Sequence, residues 1–327
     1  MELKMNIKKI IFPVFFAFSL IAFTVYIALD TFVIARVYTD VDGNDSYPSA
    51  LPEKNENDAT GNGALEGTMM QGGLIKPDQG NAPAAVTSSS YSDENITVTL
   101  TEYRENDTTV YVADVRLSSP EYLKTAFAKN AYGRNVTQKT SEIARAHNAI
   151  LAINGDYYGA QEKGYVLKNG VLYRKTPATD REDLVIYADG SFEIITETQV
   201  SAEKLLADGA VQILSFGPAL IEDGRIAVGE RDEVGKAMAD NPRTAIGIVD
   251  ECHYLLIVSD GRTRESEGLT LYELAEFAKK LGVTTAYNLD GGGSSTMYFN
   301  GEVVNNPTTN GKTISERGVS DIVYIGY

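Results

Sequence analysis

The chain divides into three stretches by the arrangement of its apolar and polar residues. Residues 10–29 form an uncharged, mostly apolar run, whereas residues 38–93 are dominated by Asp, Asn, Gly, Ser, Pro and Ala. Beyond residue 93, short apolar segments alternate with turn residues. This pattern predicts a basic flank with a transmembrane helix over 1–36, a disordered linker over 37–93 and a folded domain over 94–327.

The N-terminal apolar run is long enough to cross a bilayer. Its 20 residues, at about 1.5 Å each, span a hydrocarbon layer of roughly 30 Å. Lys4, Lys8 and Lys9 precede it, and basic flanks stay on the cytoplasmic side. We therefore expect a single-pass cell-membrane protein with an extracytoplasmic C-terminal domain. A cleaved signal peptide is the alternative, although its apolar region usually holds only about 7–15 residues.

The predicted linker is acidic and poor in large apolar residues. Between Asp40 and Gln79 it carries eight acids against Lys54 and Lys76. Such a segment cannot bury enough apolar surface to offset the entropy lost on ordering, so we expect a flexible stalk.

The C-terminal region has the pattern of an α+β domain with many strands and few helices. Apolar residues alternate with Thr over Ile96–Arg104 and again over Thr109–Leu117, which predicts a hairpin. Asn-Gly or Asp-Gly pairs at 169–170, 189–190 and 223–224 predict further hairpins. One helix is expected over Leu271–Leu281, opened by a capping box of Thr270 and Glu273. Because that helix joins two buried strands, we expect a crossover within a mixed sheet.

Charge and composition exclude several classes of function. Acids outnumber bases 45 to 29, giving a formal charge of -16, so a nucleic-acid partner is not expected. With Cys252 alone there is no intrachain disulfide, and two histidines do not favour a zinc site. A Ser–His–Asp triad would require His147 or His253 beside a serine, and both histidines are expected at surface or cap positions. The sequence carries no signal for an oligomeric state.

Polar residues gather where apolar strands are expected to end. The main cluster follows the strand that leads to Asn288 and Asp290, where Gly291, Gly292 and Gly293 precede Ser294 and Ser295. A glycine-rich turn can present successive N–H groups to an anion such as phosphate, and the alternative is a tight turn between core strands.

Three similar clusters occur at other strand ends, and ligands of layered folds bind where strand ends meet. They are Asn154 with Asp156, Asn241-Pro-Arg243-Thr, and Asp260-Gly-Arg262. Arginine can bind a phosphate through two hydrogen bonds, and a carboxylate can act as a general acid or base. No cofactor is required by this chemistry. Asp156, Asp260 and Asp290 could instead hold Ca²⁺ or Mg²⁺, although no EF-hand spacing is present.

Together these motifs resemble the phosphodiester glycosidase family over roughly residues 140–327. The resemblance rests on five segments in order: Ile153-Asn-Gly-Asp-Tyr-Tyr158, Asn241-Pro-Arg-Thr-Ala-Ile-Gly247, Ser259-Asp-Gly-Arg262, Asn288-Leu-Asp-Gly-Gly-Gly-Ser-Ser-Thr-Met297 and Glu316-Arg317. It implies hydrolysis of a sugar-1-phosphate diester, of the N-acetylglucosamine-1-phosphate type, at the glycosidic carbon.

The resemblance also implies roles for individual residues. The catalytic carboxylates would be Asp290, Asp156 and Asp260. Substrate and phosphate would be held by Arg243, Arg262, Asn154, Asn288, Gly291, Gly292, Gly293, Ser294, Ser295 and Arg317. The expected partner is a carbohydrate phosphodiester in envelope or exopolysaccharide material. A non-catalytic glycan-binding module, or a metal-dependent phosphodiesterase that cuts the P–O bond, are the alternatives.

Overall fold

The computed structural model describes residues 7–40, 84–233 and 240–327, and most of the predicted linker lies outside these ranges. The described residues form four helices: α1 (Ile7–Phe32), α2 (Thr140–Ala146), α3 (Ala202–Ala207) and α4 (Leu271–Lys280). The strands are β1 (Arg36–Asp40), β2 (Ala85–Val86), β3 (Ser90–Ser92), β4 (Ile96–Glu105), β5 (Thr108–Leu117), β6 (Leu123–Phe127), β7 (Ala131–Arg134), β8 (Leu151–Asn154), β9 (Val166–Lys168), β10 (Val171–Arg174), β11 (Glu182–Tyr187), β12 (Phe192–Thr196), β13 (Ala210–Leu214), β14 (Ala219–Glu222), β15 (Arg225–Ile226), β16 (Arg243–Asp250), β17 (His253–Ser259), β18 (Thr285–Asn288), β19 (Met297–Phe299), β20 (Glu302–Val303) and β21 (Asp321–Ile325). The strand-rich α+β prediction is confirmed.

The strands form one large and three smaller sheets. The large sheet has the order β15-β14-β18-β16-β17-β5-β4-β3-β2. Two five-stranded sheets have the orders β10-β9-β13-β11-β12 and β20-β19-β8-β21-β6, and β1 pairs with β7. Strands β2 and β3 precede residue 94, so the sheet takes in residues that the sequence assigned to the linker.

Helix α4 makes the crossover that the sequence predicts, but the sheet is not mixed. Strand β16 lies between β17 and β18 and is antiparallel to both, so the two strands joined by α4 run in the same direction without touching. Every strand pair in the described ranges is antiparallel, which corrects the expectation of a mixed sheet.

The main core lies between the large sheet and the two five-stranded sheets. In β17, Tyr254, Leu256 and Val258 face this core, while Leu255 and Ile257 face a second core beneath α4. Successive strand residues point to opposite faces, so a strand covered on both sides is apolar throughout. The capping box of α4 is present, with the Thr270 hydroxyl accepting from the Glu273 amide and the Glu273 carboxylate accepting from the Thr270 amide. These layers fix the strand ends that carry the predicted site residues.

Candidate active site

Three adjoining cavities share Asp290 and Arg317, and we call them together the cleft. The first has a volume of about 280 Å³ and is also lined by Asp156 and Tyr157. The second holds Arg243 and Arg262, with Asn241, Asn288, Gly291 and Gly292. The third is bounded by Tyr157, Arg181, Ser215 and Phe216. The ends of β16 and β18 and the segment after β8 therefore meet at one site, as the sequence predicts.

Asp290 lies at the centre of the cleft, just beyond the end of β18. Its Oδ2 accepts hydrogen bonds from the Ser294 hydroxyl at 2.6 Å and from Arg317 Nη2 at 2.9 Å. The side chain is only 13% exposed. Burial raises the pKa of the Asp290 carboxyl, while Arg317 and Ser294 act in the opposite direction. Asp290 thus combines access to the cleft with a pKa moved toward neutral pH, which suits a general acid or base.

Three arginines converge on the same part of the cleft. Arg243 is buried, with Nε donating to the Leu269 carbonyl and Nη2 to Glu233 Oε2 at 2.9 Å. Arg262 donates from Nη1 to the Thr309 carbonyl and from Nη2 to Asn241 Oδ1. Burial, and then the charges of Arg317 and Arg243, lower the pKa of Arg262. The positive charges of the arginines repel one another, and a monoanionic or dianionic group that binds between them relieves this repulsion.

The Glu316-Arg317 motif is held in place from both ends. Glu316 accepts from the Ser141 amide and hydroxyl in the first turn of α2, at 2.9 and 2.6 Å. The Arg317 amide donates to the Gly293 carbonyl, and its Nε donates to the Ser294 hydroxyl at 2.9 Å. The motif therefore fixes the guanidinium of Arg317 beside Asp290.

The glycine turn supports the site by close packing, and several of its amides are already bonded within the backbone. The amides of Asp290, Gly292, Ser294 and Ser295 all donate to backbone carbonyls. The predicted role of successive free N–H groups is therefore wrong for these positions. Gly292 has φ of 63° and a Cβ there would lie 2.9 Å from Arg262 Nη2, so glycine is required for the arginine to approach. A Cβ on Gly293 would similarly meet Thr309 Oγ1.

Asn154 links three of the predicted motifs. Its Nδ2 donates to the Asp290 carbonyl at 2.6 Å, and its Oδ1 accepts from the Thr244 hydroxyl and the Thr296 amide. The side chain is fully buried, so it positions the Asp290 segment from below and does not orient substrate as expected. Ser295 is likewise fully buried and does not line the cleft, whereas Asn288 does, with Nδ2 bound to the Gly217 carbonyl.

One wall of the cleft is aromatic. Tyr157 is 43% exposed, and its ring lies 6.4 Å from that of Phe216 in an edge-on arrangement. Tyr158 points the other way and stacks on Tyr132 at 5.7 Å inside the core. The adjacent tyrosines therefore have separate roles, and Tyr157 offers an apolar face to a sugar ring.

Comparisons with known proteins identify the family of the chain. The family model for phosphodiester glycosidases matches residues 147–326, which include Asp290, Arg317 and the other two arginines of the cleft. The chain belongs to the phosphodiester glycosidase family.

Relatives of this phosphodiester glycosidase come from bacteria and mammals. The chain is 28% identical over 201 residues to the SPbeta prophage-derived uncharacterized protein YomE of Bacillus subtilis, covering 60% of this chain and 31% of that protein. It is 33% identical over 175 residues to N-acetylglucosamine-1-phosphodiester alpha-N-acetylglucosaminidase of Mus musculus, covering 48% and 33%. The chain spans about a third of the length of these curated relatives.

A solved structure shows the same fold. The zebrafish N-acetylglucosamine-1-phosphodiester alpha-N-acetylglucosaminidase catalytic domain, auto-inhibited by its pro-peptide, superposes with a TM-score of 0.56 at 22% identity. The match covers 71% of this chain and 83% of that one.

Asp156 of this phosphodiester glycosidase reaches the cleft but is tied to a buried charge cluster. Lys168 Nζ lies 3.0 Å from Asp156 Oδ2 and 2.7 Å from Asp321 Oδ2. Asp156 also accepts hydrogen bonds from the amides of Tyr158 and Ser215. Lys168 and Asp321 were not predicted as site residues, although Lys168 follows Val166-Leu167 at a strand end and so fits the pattern of the other clusters. Asp156 is therefore held in a fixed position beside Lys168.

Asp260 does not line the cleft. Its Oδ1 accepts from the Asn306 amide at 2.8 Å, and its Oδ2 accepts from Asn306 Nδ2 at 2.9 Å. The catalytic role predicted for Asp260 is therefore replaced by a structural one, because the carboxylate anchors the loop after β20.

The three candidate aspartates have different partners. Asp156 is paired with Lys168 and Asp260 with the Asn306 loop, so only Asp290 faces the cleft without a lysine partner. No group of three or more His, Cys, Asp or Glu side chains suited to a metal occurs among the described residues. The two histidines bind Asn130 and Asp114 and do not line the cleft. His147 caps the C-terminus of α2 as expected, whereas His253 is buried on β17 and is not the surface or cap residue that the sequence predicts.

Replacing Arg317 with glutamine should shift the pH dependence of activity. The guanidinium lowers the pKa of Asp290 against the effect of burial, so its removal leaves the carboxyl protonated up to a higher pH. If hydrolysis needs the Asp290 carboxylate, the acidic limb of the kcat profile will move to higher pH. Arg225→Gln, an exposed arginine on β15, is the matched control and should leave the profile in place. An unmoved limb in R317Q would show that Arg317 does not set the ionisation of Asp290.

Replacing Asp321 with asparagine should flatten the pH dependence of stability. Burial and the neighbouring charge of Asp156, opposed by Lys168, raise the pKa of Asp321 from 3.8 to about 7. A carboxyl with a raised pKa binds more protons in the folded state, so the free energy of unfolding falls as the pH rises from about 4 to about 7. Urea titrations of the full chain in detergent across this window should show that fall in the native protein and less of it in D321N. Asp223→Asn, at an exposed turn, should keep the native slope.

Proposed function

We propose that this protein is a membrane-tethered, extracytoplasmic hydrolase that cleaves the glycosidic bond of sugar-1-phosphate diesters. The observation that carries the proposal is the convergence of Arg243, Arg262 and Arg317 around the buried carboxyl of Asp290 in one cleft. Family membership and the activity for which the mouse relative is named support N-acetylglucosamine-1-phosphate diesters of envelope or exopolysaccharide material as the substrates to test first.

The arginines would bind the phosphodiester through their guanidinium groups. Phosphate and carboxylate oxygens match the planar fork of arginine, and three cations offset both the charge of the diester and the charge that develops on its leaving oxygen. Tyr157 would then contact the sugar ring, and the anomeric carbon would lie between the aromatic wall and Asp290.

Asp290 would act on the reaction at the anomeric carbon. Water adds its oxygen to the sugar C1, the bond from C1 to the phosphate oxygen breaks, and one proton passes to solvent or to the released phosphate monoester. A phosphate monoester is a weak base as a leaving group, so neutralisation by arginine matters more than full protonation. The raised pKa of the Asp290 carboxyl and the lack of histidine in the cleft are consistent with this mechanism, in which arginine neutralises the leaving group.

Helix α1 would supply the membrane tether. The segment Val14–Thr31 is long and apolar enough to cross a bilayer, and its described side chains are mostly exposed to the surroundings instead of packed in the domain. An exposed apolar helix of this length is stable in lipid, where all its backbone hydrogen bonds are internal.

Product analysis tests the proposed reaction. The full chain in detergent would be incubated with the methyl diester of N-acetylglucosamine-1-phosphate, and the products separated. Free N-acetylglucosamine with methyl phosphate supports the proposal. N-acetylglucosamine-1-phosphate with methanol would instead indicate a phosphodiesterase, and tight binding without products would indicate a glycan-binding module.

A further inference from the structure

The C-terminal end of α1 forms part of the wall of the cleft. Thr31 lines the same cavity of about 280 Å³ as Asp156, Asp290 and Arg317. Thr31 is also the last residue of the apolar segment that is long enough to cross a membrane. The point where the chain would leave the bilayer and the centre of the candidate active site therefore border one cavity.

Hydrogen bonds and strand pairing fix this arrangement. Asn135 Nδ2 donates to the carbonyls of Thr31 and Ile34 at 3.1 and 3.2 Å, and Arg134 Nη2 donates to the Thr31 carbonyl at 3.4 Å. Strand β1 then pairs antiparallel with β7, beginning at Arg36 opposite Arg134. Only residues 33–35 separate α1 from β1, and three residues reach about 10 Å at most. The domain therefore cannot lift its cleft away from the end of α1 unless these contacts break.

The surface next to this junction is apolar. Val33, Val37 and Tyr38 are exposed and follow directly on the helix. Apolar and tyrosine side chains at the end of a membrane span favour the interfacial layer of a bilayer, where an aromatic ring meets both lipid and water. The docking residues Thr31, Arg134 and Asn135 lie outside residues 147–326, the part of the chain that the family model matches.

We propose that the substrate is a glycosyl phosphate whose second ester is carried by a lipid of the same membrane. This inference rests on the proposed function. A lipid-borne phosphodiester lies at the height of the headgroups, where the sugar can enter beside Tyr157 and the phosphate can reach Arg317 while the lipid tail stays in the bilayer. Water adds to the sugar C1, the C1–O bond breaks, and the products are a free sugar and a lipid phosphate monoester.

Proteoliposomes test the position of the cleft. The full chain would be reconstituted in phosphatidylcholine vesicles that also carry N-acetylglucosamine-1-phosphofarnesol, with the soluble methyl diester as the second substrate. An insertion of six Gly and Ser residues between Ala35 and Arg36, combined with Asn135→Gly to remove the side-chain hydrogen bonds to Thr31 and Ile34, releases α1 from β1 and the cleft. The same insertion between Gly72 and Gly73 is the matched control, because it lies beyond β1 in the chain.

We expect the native chain to cleave both diesters. The insertion before Arg36 should slow cleavage of the farnesyl diester at least tenfold with little effect on the methyl diester, and the control insertion should change neither rate. Farnesyl diester supplied in separate vesicles should be cleaved at least tenfold more slowly than in the shared membrane.

Cleavage of the methyl diester with no cleavage of the farnesyl diester would overturn this inference and leave the proposed function standing. Equal loss on both substrates after the insertion before Arg36 would also overturn it, because the junction would then serve the cleft only as a structural support. Cleavage of neither substrate by the native chain would overturn the proposed function, and the inference with it.

Discussion

Replacing Asp290 with asparagine will lower kcat for sugar release by about 10²–10⁴-fold, the range typical for loss of a positioned acid or base. Asparagine keeps the size of the side chain but cannot exchange a proton or carry the charge that pairs with Arg317. Because the three arginines remain, substrate binding should persist. Steady-state kinetics of the full chain, with a separate binding measurement, would show a fall in kcat with a small change in affinity.

Two further variants serve as comparisons for D290N. Ser294→Ala removes one hydrogen bond to Asp290 Oδ2 and keeps the carboxyl, so we expect a smaller loss than in D290N. Asp250→Asn changes an exposed carboxyl at the end of β16 and should retain native activity. Activity of D290N within threefold of the native value would remove Asp290 from the reaction.

Replacing Lys168 with methionine will destabilise the fold by about 3–5 kcal/mol, the usual cost of leaving a buried charge without its partner. The ammonium group is 3% exposed and bridges Asp156 and Asp321. Without it, two carboxyl groups remain close together in the core and must bind protons or repel each other. Urea unfolding of the full chain in detergent at neutral pH would show a lower midpoint, and the deficit should shrink at acidic pH as the carboxyls become protonated.

Lys175 offers a matched control for this prediction. It forms an ion pair with Glu203 at 2.8 Å, but its side chain is 67% exposed. Water screens an exposed pair of this kind, so Lys175→Met should change stability little. Equal effects of the two substitutions would contradict the account of Lys168 as the buried charge that neutralises Asp156 and Asp321.

Local signals made much of the fold predictable. The Asn-Gly and Asp-Gly pairs correctly placed the hairpins β9–β10, β11–β12 and β14–β15, and the Thr270 capping box placed α4. These features depend on residues within a few positions of one another. The pairing of the strands in space depends on contacts between distant segments, so the antiparallel insertion of β16 between β17 and β18 could not be deduced in advance.

The candidate active site was also only partly predictable, because it too depends on contacts between distant segments. Strand ends identified Asp290, Arg243 and Arg262 as neighbours, because these polar clusters share one edge of the fold, whereas Arg317 came only from the family resemblance. The three aspartates differ in burial and in their partners, and these differences depend on contacts between distant residues. Asp156, for example, meets Lys168 and Asp321, which lie 12 and 165 residues further along the chain. The sequence likewise carries no sign that the amides of the glycine turn are used by carbonyls such as that of Pro242.

The position of the broken bond tests the central claim most directly. The native full chain would hydrolyse the methyl diester of N-acetylglucosamine-1-phosphate in water enriched in oxygen-18, and both products would be examined by mass spectrometry. Cleavage at the glycosidic carbon places the label in the free sugar and leaves the phosphate monoester unlabelled. Label in the phosphate product, whichever ester bond is lost, would show attack at phosphorus and would contradict the assignment of the cleft to glycosidic hydrolysis.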